Sequence, residues 1–177
     1  MSVLVRNETP DDREAVADVH RSAFAPMTPR GRAEPVEVVL VEALRLSGAW
    51  IDELSFVAEA DDGAVVGHVC LTRAAVGEVP VLALGPLGVR SDLQTQGTGS
   101  ALMLASLGAA DALGEQLVAL LGHTAYYPRF GFVPGTDIGV TPDVAEWKGD
   151  SFMVRTLGAY TPDLRGEFHY ARPFYEL

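Results

Sequence analysis

From Val89 onward the chain leaves an apolar strand pattern, crosses Arg90-Ser91-Asp92-Leu93-Gln94-Thr95-Gln96, and reaches Gly97-Thr98-Gly99-Ser100 at the start of an apolar-striped helix. An apolar strand, a polar loop with two closely spaced glycines and then a helix start gather backbone N–H groups that no helical carbonyl satisfies. The helix dipole adds partial positive charge at the same end. Together these make a seat for a phosphate group.

Three kinds of phosphate loop differ in what surrounds the glycines. A P-loop needs Gly-Lys-Ser/Thr, and the single lysine of this chain, Lys148, lies far downstream. A dinucleotide fingerprint needs glycines at its first, third and sixth positions after a tight turn. Here Gly97 and Gly99 are followed by Leu102, and the stretch from Val89 to Gly97 is too long for that turn. A glycine-softened connection with no ligand stays open on these two residues alone.

The elements that must position this loop can be read from pattern. Val3-Leu4-Val5 predicts a short strand. Thr9 as N-cap, Pro10 at the first helical position and Asp11 and Asp12 in the first turn predict a helix carrying Val16, Val19 and Ala23 at helical spacing. Pro26 to Arg32 predicts a loop. A second helix is expected from Pro35 to about Leu46, with Val36, Val39, Leu40, Ala43 and Leu44 on one face. Phe56 to Ala60, a turn at Asp61-Asp62-Gly63, and Val65 to Leu71 predict a hairpin, with Val79 to Val89 as the next strand. The helix after the glycine loop would bury Leu102, Ala105, Ala109 and Leu113 and end at Gly114. Leu117 to Leu121 reads as a strand buried on both faces. Ser151 to Leu157 predicts a late strand, with the aromatic tail of His169, Tyr170, Phe174 and Tyr175 packed back on the sheet. The expectation is one mixed α/β (α+β) domain over 1–177, with its motif-bearing core at about 55–134 and C-terminal strands at 150–177.

Taken whole, Gln94-x-x-Gly97-x-Gly99 after Leu87-Gly88-Val89-Arg90-Ser91-Asp92-Leu93 resembles the acyl-CoA-binding signature of the GNAT superfamily of N-acetyltransferases. One helix further on, Leu117 to Pro134 resembles the next strand, short helix and aromatic-x-x-x-Gly-Phe ending of the same family, here Tyr127 to Phe132. The resemblance implies a central mixed, mostly antiparallel sheet flanked by helices, with a splayed strand pair that takes the pantetheine arm of acetyl-CoA. It implies that the amides of Gln94, Thr95, Gln96, Gly97, Thr98, Gly99 and Ser100 wrap the pyrophosphate. Leu87, Gly88 and Val89 would then supply main-chain hydrogen bonds, with the Val89 N–H at the thioester carbonyl, where it would stabilise the oxyanion. Transfer would go directly to an amine, with Tyr127 as the acid for the departing thiolate and Tyr126 as its neighbour.

The base is less legible, because the strand from Val81 to Val89, a common place for it in the family, holds no acid. His123, just past a buried strand, is one candidate, since imidazole titrates near neutrality. His68 and Glu59 on the hairpin strands are others. Cys70, in an apolar strand, suits a small core residue better than an acyl carrier. Arg90, Arg129 and Arg155 either contact phosphates or pair with carboxylates.

The acceptor implied is an amine on a small molecule or peptide. Its pocket is expected from the Pro26–Arg32 loop, the second helix and the segment from Gly135 to Lys148, with Trp50, Trp147, Glu34, Glu37, Asp137 and Glu146 as candidate linings. Homodimers are common in the family, so a homodimer is compatible with the resemblance. The empty strand position keeps open a non-catalytic acyl-CoA-binding or sensory domain, and a plain interaction module would bind no CoA.

Composition limits the rest. Twenty-four acidic residues against 13 Lys and Arg give a net charge of −11, which argues against nucleic-acid binding. No apolar run reaches membrane-spanning length, and the N-terminus lacks a secretory core. A lone cysteine forms no internal disulfide, so a reducing cytoplasm is expected. No metal is expected.

Overall fold

A computed structural model describes residues 2–177. Its strands are β1 (Val3–Asn7), β2 (Ser55–Ala60), β3 (Val65–Val76), β4 (Val79–Val89), β5 (Leu117–Leu121), β6 (Val133–Pro134), β7 (Val140–Pro142), β8 (Phe152–Thr156) and β9 (Gly166–His169). They form one sheet in the order β1-β2-β3-β4-β5-β8-β6, with β9 pairing both β3 and β7. All pairs are antiparallel except β4 with β5 and β7 with β9. The expected mixed, mostly antiparallel sheet is therefore present.

Alternation along the central strands sorts the core into two faces. Leu82 and Leu84 of β4 and Val118 and Leu120 of β5 pack under helix α3 (Thr98–Ala112). Val81, Ala83, Leu117 and Ala119 point to the other face, against Phe152, Phe168 and Tyr170 from the C-terminal segment. Strand β5 is thus covered on both sides. Beside that segment, helices α1 (Arg13–Phe24) and α2 (Val36–Arg45) lie over the hairpin, where Val16, Val41 and Val57 meet.

The entry to α1 follows its local signals. Asp12 closes a short turn from Pro10 by accepting both the Thr9 amide and the Thr9 hydroxyl, at 2.8 and 2.9 Å. Arg6 then ties this turn to the sheet, donating to Asp12 and to Glu59.

Two helix faces differ from expectation. In α2 the buried residues are Val38, Leu40, Val41 and Leu44, while Val39 is exposed. In α3 they are Leu102, Met103, Ser106, Leu107 and Ala110, and Leu113 is exposed. Both helices are apolar over most of their circumference, so periodicity leaves several stripes available and the neighbouring element selects one.

Candidate active site

Strands β4 and β5 touch over only two residue pairs, Leu82↔Val118 and Ala83↔Ala119. Beyond them the strands part. The cause lies in β4, where the three steps from Leu84 to Leu87 face only two on β3, from Leu71 to Val69. The extra residue falls at Gly85-Pro86, a bulge that turns the end of β4 away from its parallel neighbour.

Past the bulge, Leu87, Gly88 and Val89 remain paired to β3 on one side. The Arg90 amide donates to Val66 O at 2.9 Å. Amides alternate direction along a strand, so Gly88 also faces β3, while Leu87 and Val89 aim their N–H groups into the split. Gln94 caps this edge by donating from its side-chain amide to Val89 O at 3.1 Å.

The glycine loop follows at once. Gly97 takes φ +92° as the cap of α3, a left-handed conformation open to glycine at little cost. Thr95 adopts φ +65° without that freedom. Among the described residues, no amide from Gln94 to Ser100 finds a hydrogen-bond partner. A cradle of seven free N–H groups at a helix N-terminus fits a pyrophosphate.

The aromatic turn after β5 closes over this cradle. A Cβ on Gly99 would lie 2.9 Å from the Tyr126 hydroxyl and 3.8 Å from Val89 Cγ2. The Tyr126 ring stands edge-on to Tyr127 and Phe130, with the Arg129 guanidinium 4.7 Å from its centroid. Tyr127 is the more enclosed of the two, its ring against Gly122 and edge-on to Phe132. Burial, with Tyr126 beside it, pushes the Tyr127 phenol up to about 12, so it is protonated at neutral pH.

The other sequence candidates fall in different places. His123 has an exposed side chain and serves the turn through its carbonyl, which accepts the Tyr126 amide at 3.1 Å. Glu59 is paired with Arg6. Arg90 is paired with Asp92, Arg155 donates to Phe130 O, and Arg129 donates to Tyr126 O at 2.9 Å while lying over the Tyr126 ring. Cys70 is buried, donates to Gly85 O at 3.3 Å, and has its thiol pushed far up by burial, which suits a core residue. Trp50 packs beside Val16, Val41 and Val57, whereas Trp147 packs on Tyr170 and Tyr175.

His68 is fully buried and hydrogen-bonded to His20 of α1 and to Ser55 and Glu8. Neither His20 nor Glu8 stands out in the sequence. The available signal was His20 itself, four positions after Val16 on a stripe that is otherwise apolar.

Comparison with known proteins gives the family and the fold. Residues 52–134, from the turn before β2 to β6, match the model of the acetyltransferase (GNAT) domain. The uncharacterized N-acetyltransferase YhbS of Escherichia coli K12 is 31% identical over 132 residues, 73% of each chain. YjhQ of the same organism, likewise an uncharacterized N-acetyltransferase, is 34% identical over 119 residues, 63% of this chain and 66% of its own. The crystal structure of E. coli YhbS in complex with CoA superposes with a TM-score of 0.86 at 26% identity, covering 98% of this chain and 92% of that one. A Brucella melitensis GNAT acetyltransferase in complex with acetyl-CoA gives 0.76 at 28% identity, covering 98% of both chains.

Proposed function

The chain belongs to the GNAT family of acetyl-CoA-dependent N-acetyltransferases, and from that premise we propose that it moves the acetyl group directly to a primary amine of a small molecule or peptide. The observation that carries this reading is the row of seven amides, Gln94 to Ser100, that have no partner among the described residues and follow the β4–β5 split.

In this reading the loop amides hold the pyrophosphate, and the Leu87 and Val89 amides bind the arm within the split. The thioester supplies the activated acetyl group. The Val89 N–H donates to its carbonyl oxygen and gains strength as negative charge develops there during attack. Tyr127, protonated at neutral pH, gives its proton to the departing sulfur. The Cys70 thiol stays protonated and bonded to the backbone, which favours direct transfer over an acyl-cysteine intermediate.

Calorimetric titration with acetyl-CoA, followed by thiol release across a panel of primary amines, tests the proposal. Binding together with amine-dependent release supports it. Binding without release for any amine would reduce the protein to an acyl-CoA-binding domain, and absence of binding at millimolar acetyl-CoA would overturn the reading altogether.

A further inference from the structure

The loop and the aromatic turn account for the cosubstrate but leave the ammonium proton of the acceptor without a destination. We propose that His20, His68 and Glu8 form a buried proton relay, in which His20 Nδ1 receives that proton and Glu8 returns it to solvent. This inference rests on the amine-transfer reading above.

The relay runs through the α1 side of the sheet. Val89 and its partner Gly67 look toward α3, since a Cβ on Gly67 would meet Leu102 and Thr98. Gly88 and its partner His68 therefore look toward α1. There His20 Nδ1 lies 2.7 Å from where a Cβ on Gly88 would stand. The loop that holds phosphate and the histidine that faces β4 are on opposite faces of one strand. Gly88 stands between Leu87 and Val89, whose amides face the split, so His20 Nδ1 lies against the part of β4 that borders it.

The hydrogen bonds fix the direction of the relay. Ser55 donates its hydroxyl proton to Glu8 Oε2, which also lies 3.2 Å from His68 Nε2. A carboxylate accepts only, so His68 carries its proton on Nε2 and leaves Nδ1 bare. His20 Nε2, 2.8 Å from that bare nitrogen, must then be the donor. His20 Nδ1 is left with a free lone pair, fully buried and without a hydrogen-bond partner among the described residues. An unpaired buried acceptor is costly, and here it points at the strand that binds the reacting arm.

At the far end, Glu8 borders a small cavity of about 50 Å³ that is also lined by the exposed Thr9, Pro10 and Arg13. Arg45, itself nearly buried, pairs with the other Glu8 oxygen. Burial works against the Glu8 charge, but His68, Ser55 and Arg45 outweigh it and hold the carboxyl below its usual range. Besides each other, the charged groups acting on the two imidazoles are Glu8, Arg45 and Asp12. Burial foremost holds both imidazoles below the usual histidine range, so both are neutral near pH 7. Such a histidine is a poor place to store a proton and a good one to pass it on.

The protons balance. The acceptor ammonium gives one proton through a water to His20 Nδ1. The Nε2 proton of His20 moves to His68 Nδ1, and the Nε2 proton of His68 moves to Glu8 and out to solvent. Both imidazoles end in the other neutral tautomer and reset by exchange. The freed lone pair forms the C–N bond as the C–S bond breaks. Sulfur takes the Tyr127 proton, and the second amine proton restores Tyr127.

Nitrogen-15 NMR of the imidazoles in the full chain, with CoA bound, tests the relay directly. The expected spectrum at pH 7 shows both histidines neutral and protonated on Nε2; a proton on His20 Nδ1 overturns the proposal whatever the kinetics. Thiol release is then measured with benzylamine, which is protonated at neutral pH, and with aniline, which is not. His20→Gln and His68→Gln should lower kcat with benzylamine by roughly 100-fold, leave the KM for acetyl-CoA within about twofold, and cost under about threefold with aniline. Equal losses with both amines would show a structural role and overturn the relay. Release with no amine of the wider panel, while acetyl-CoA still binds, would instead overturn the amine-transfer reading, and the relay falls with it; the relay fails on its own only through the tautomers or through equal losses with both amines.

Discussion

The hydroxyl of Tyr126 stands 2.9 Å from the point at which a side chain on Gly99 would begin, so the aromatic turn reaches the glycine loop at this residue. These two segments are joined by α3 and β5 and are brought together only because both elements end at the same edge of the sheet. Gly99 is constrained from two sides, by Tyr126 above it and by the phosphate expected against its amide.

Gly99→Trp should therefore abolish acetyl-CoA binding in calorimetry. Gly99→Ala should weaken it about tenfold, which corresponds to about 1.4 kcal/mol. Gly99 has open space apart from Tyr126 and Val89, so the melting temperature of the alanine variant should stay near that of the parent. A large fall in melting temperature would mean that the glycine serves the fold and not the ligand.

Tyr127→Phe removes one oxygen and keeps the ring that packs on Phe132. If the phenol protonates the leaving thiolate, kcat should drop by roughly 100-fold or more while acetyl-CoA affinity changes less than about twofold. Parallel losses in affinity and turnover would assign the residue to packing.

Gly88→Ala places a methyl group 2.7 Å from His20 Nδ1 and 3.0 Å from its Cε1. His20 cannot swing away without giving up its bond to His68. The substitution should cost about 1–3 kcal/mol in urea unfolding. Adding His20→Ala should return part of that loss, since the two sites are in contact and will not be additive. Additive effects would show that the clash is relieved by backbone movement instead.

Asp12 gives the fold an acid limit. The hydrogen bond from Arg6 foremost, with those from the Thr9 backbone and hydroxyl, holds its carboxyl well below the usual carboxylate range. Its folded-state pKa is thus depressed, so its contribution is complete above the unfolded value of about 3.9 and is lost as the pH falls toward the folded one. Melting temperature should decline below about pH 4, and Asp12→Asn should be less stable than the parent at pH 7 with a shallower acid decline. Identical acid slopes in the two proteins would remove Asp12 from this role.

The sequence by itself determined the features that depend on neighbours along the chain. A helix start leaves its first amides without helical partners wherever it occurs, and alternation in Val81 to Leu84 and Leu117 to Leu121 fixes which side chains share a face. Residue types at fixed short spacing suffice for such features, so the loop, the hairpin, the main strands and the family resemblance were all legible. Tertiary structure alone decided the rest. Which stripe of α2 and of α3 is buried depended on what each helix packs against, because their own sequences are apolar nearly all round. His68 meets His20 across 48 positions and Glu8 across 60, so no local pattern announces the cluster. Its members are polar residues that only burial against one another makes unusual, and burial is a property of the assembled sheet and helices, not of any stretch of chain.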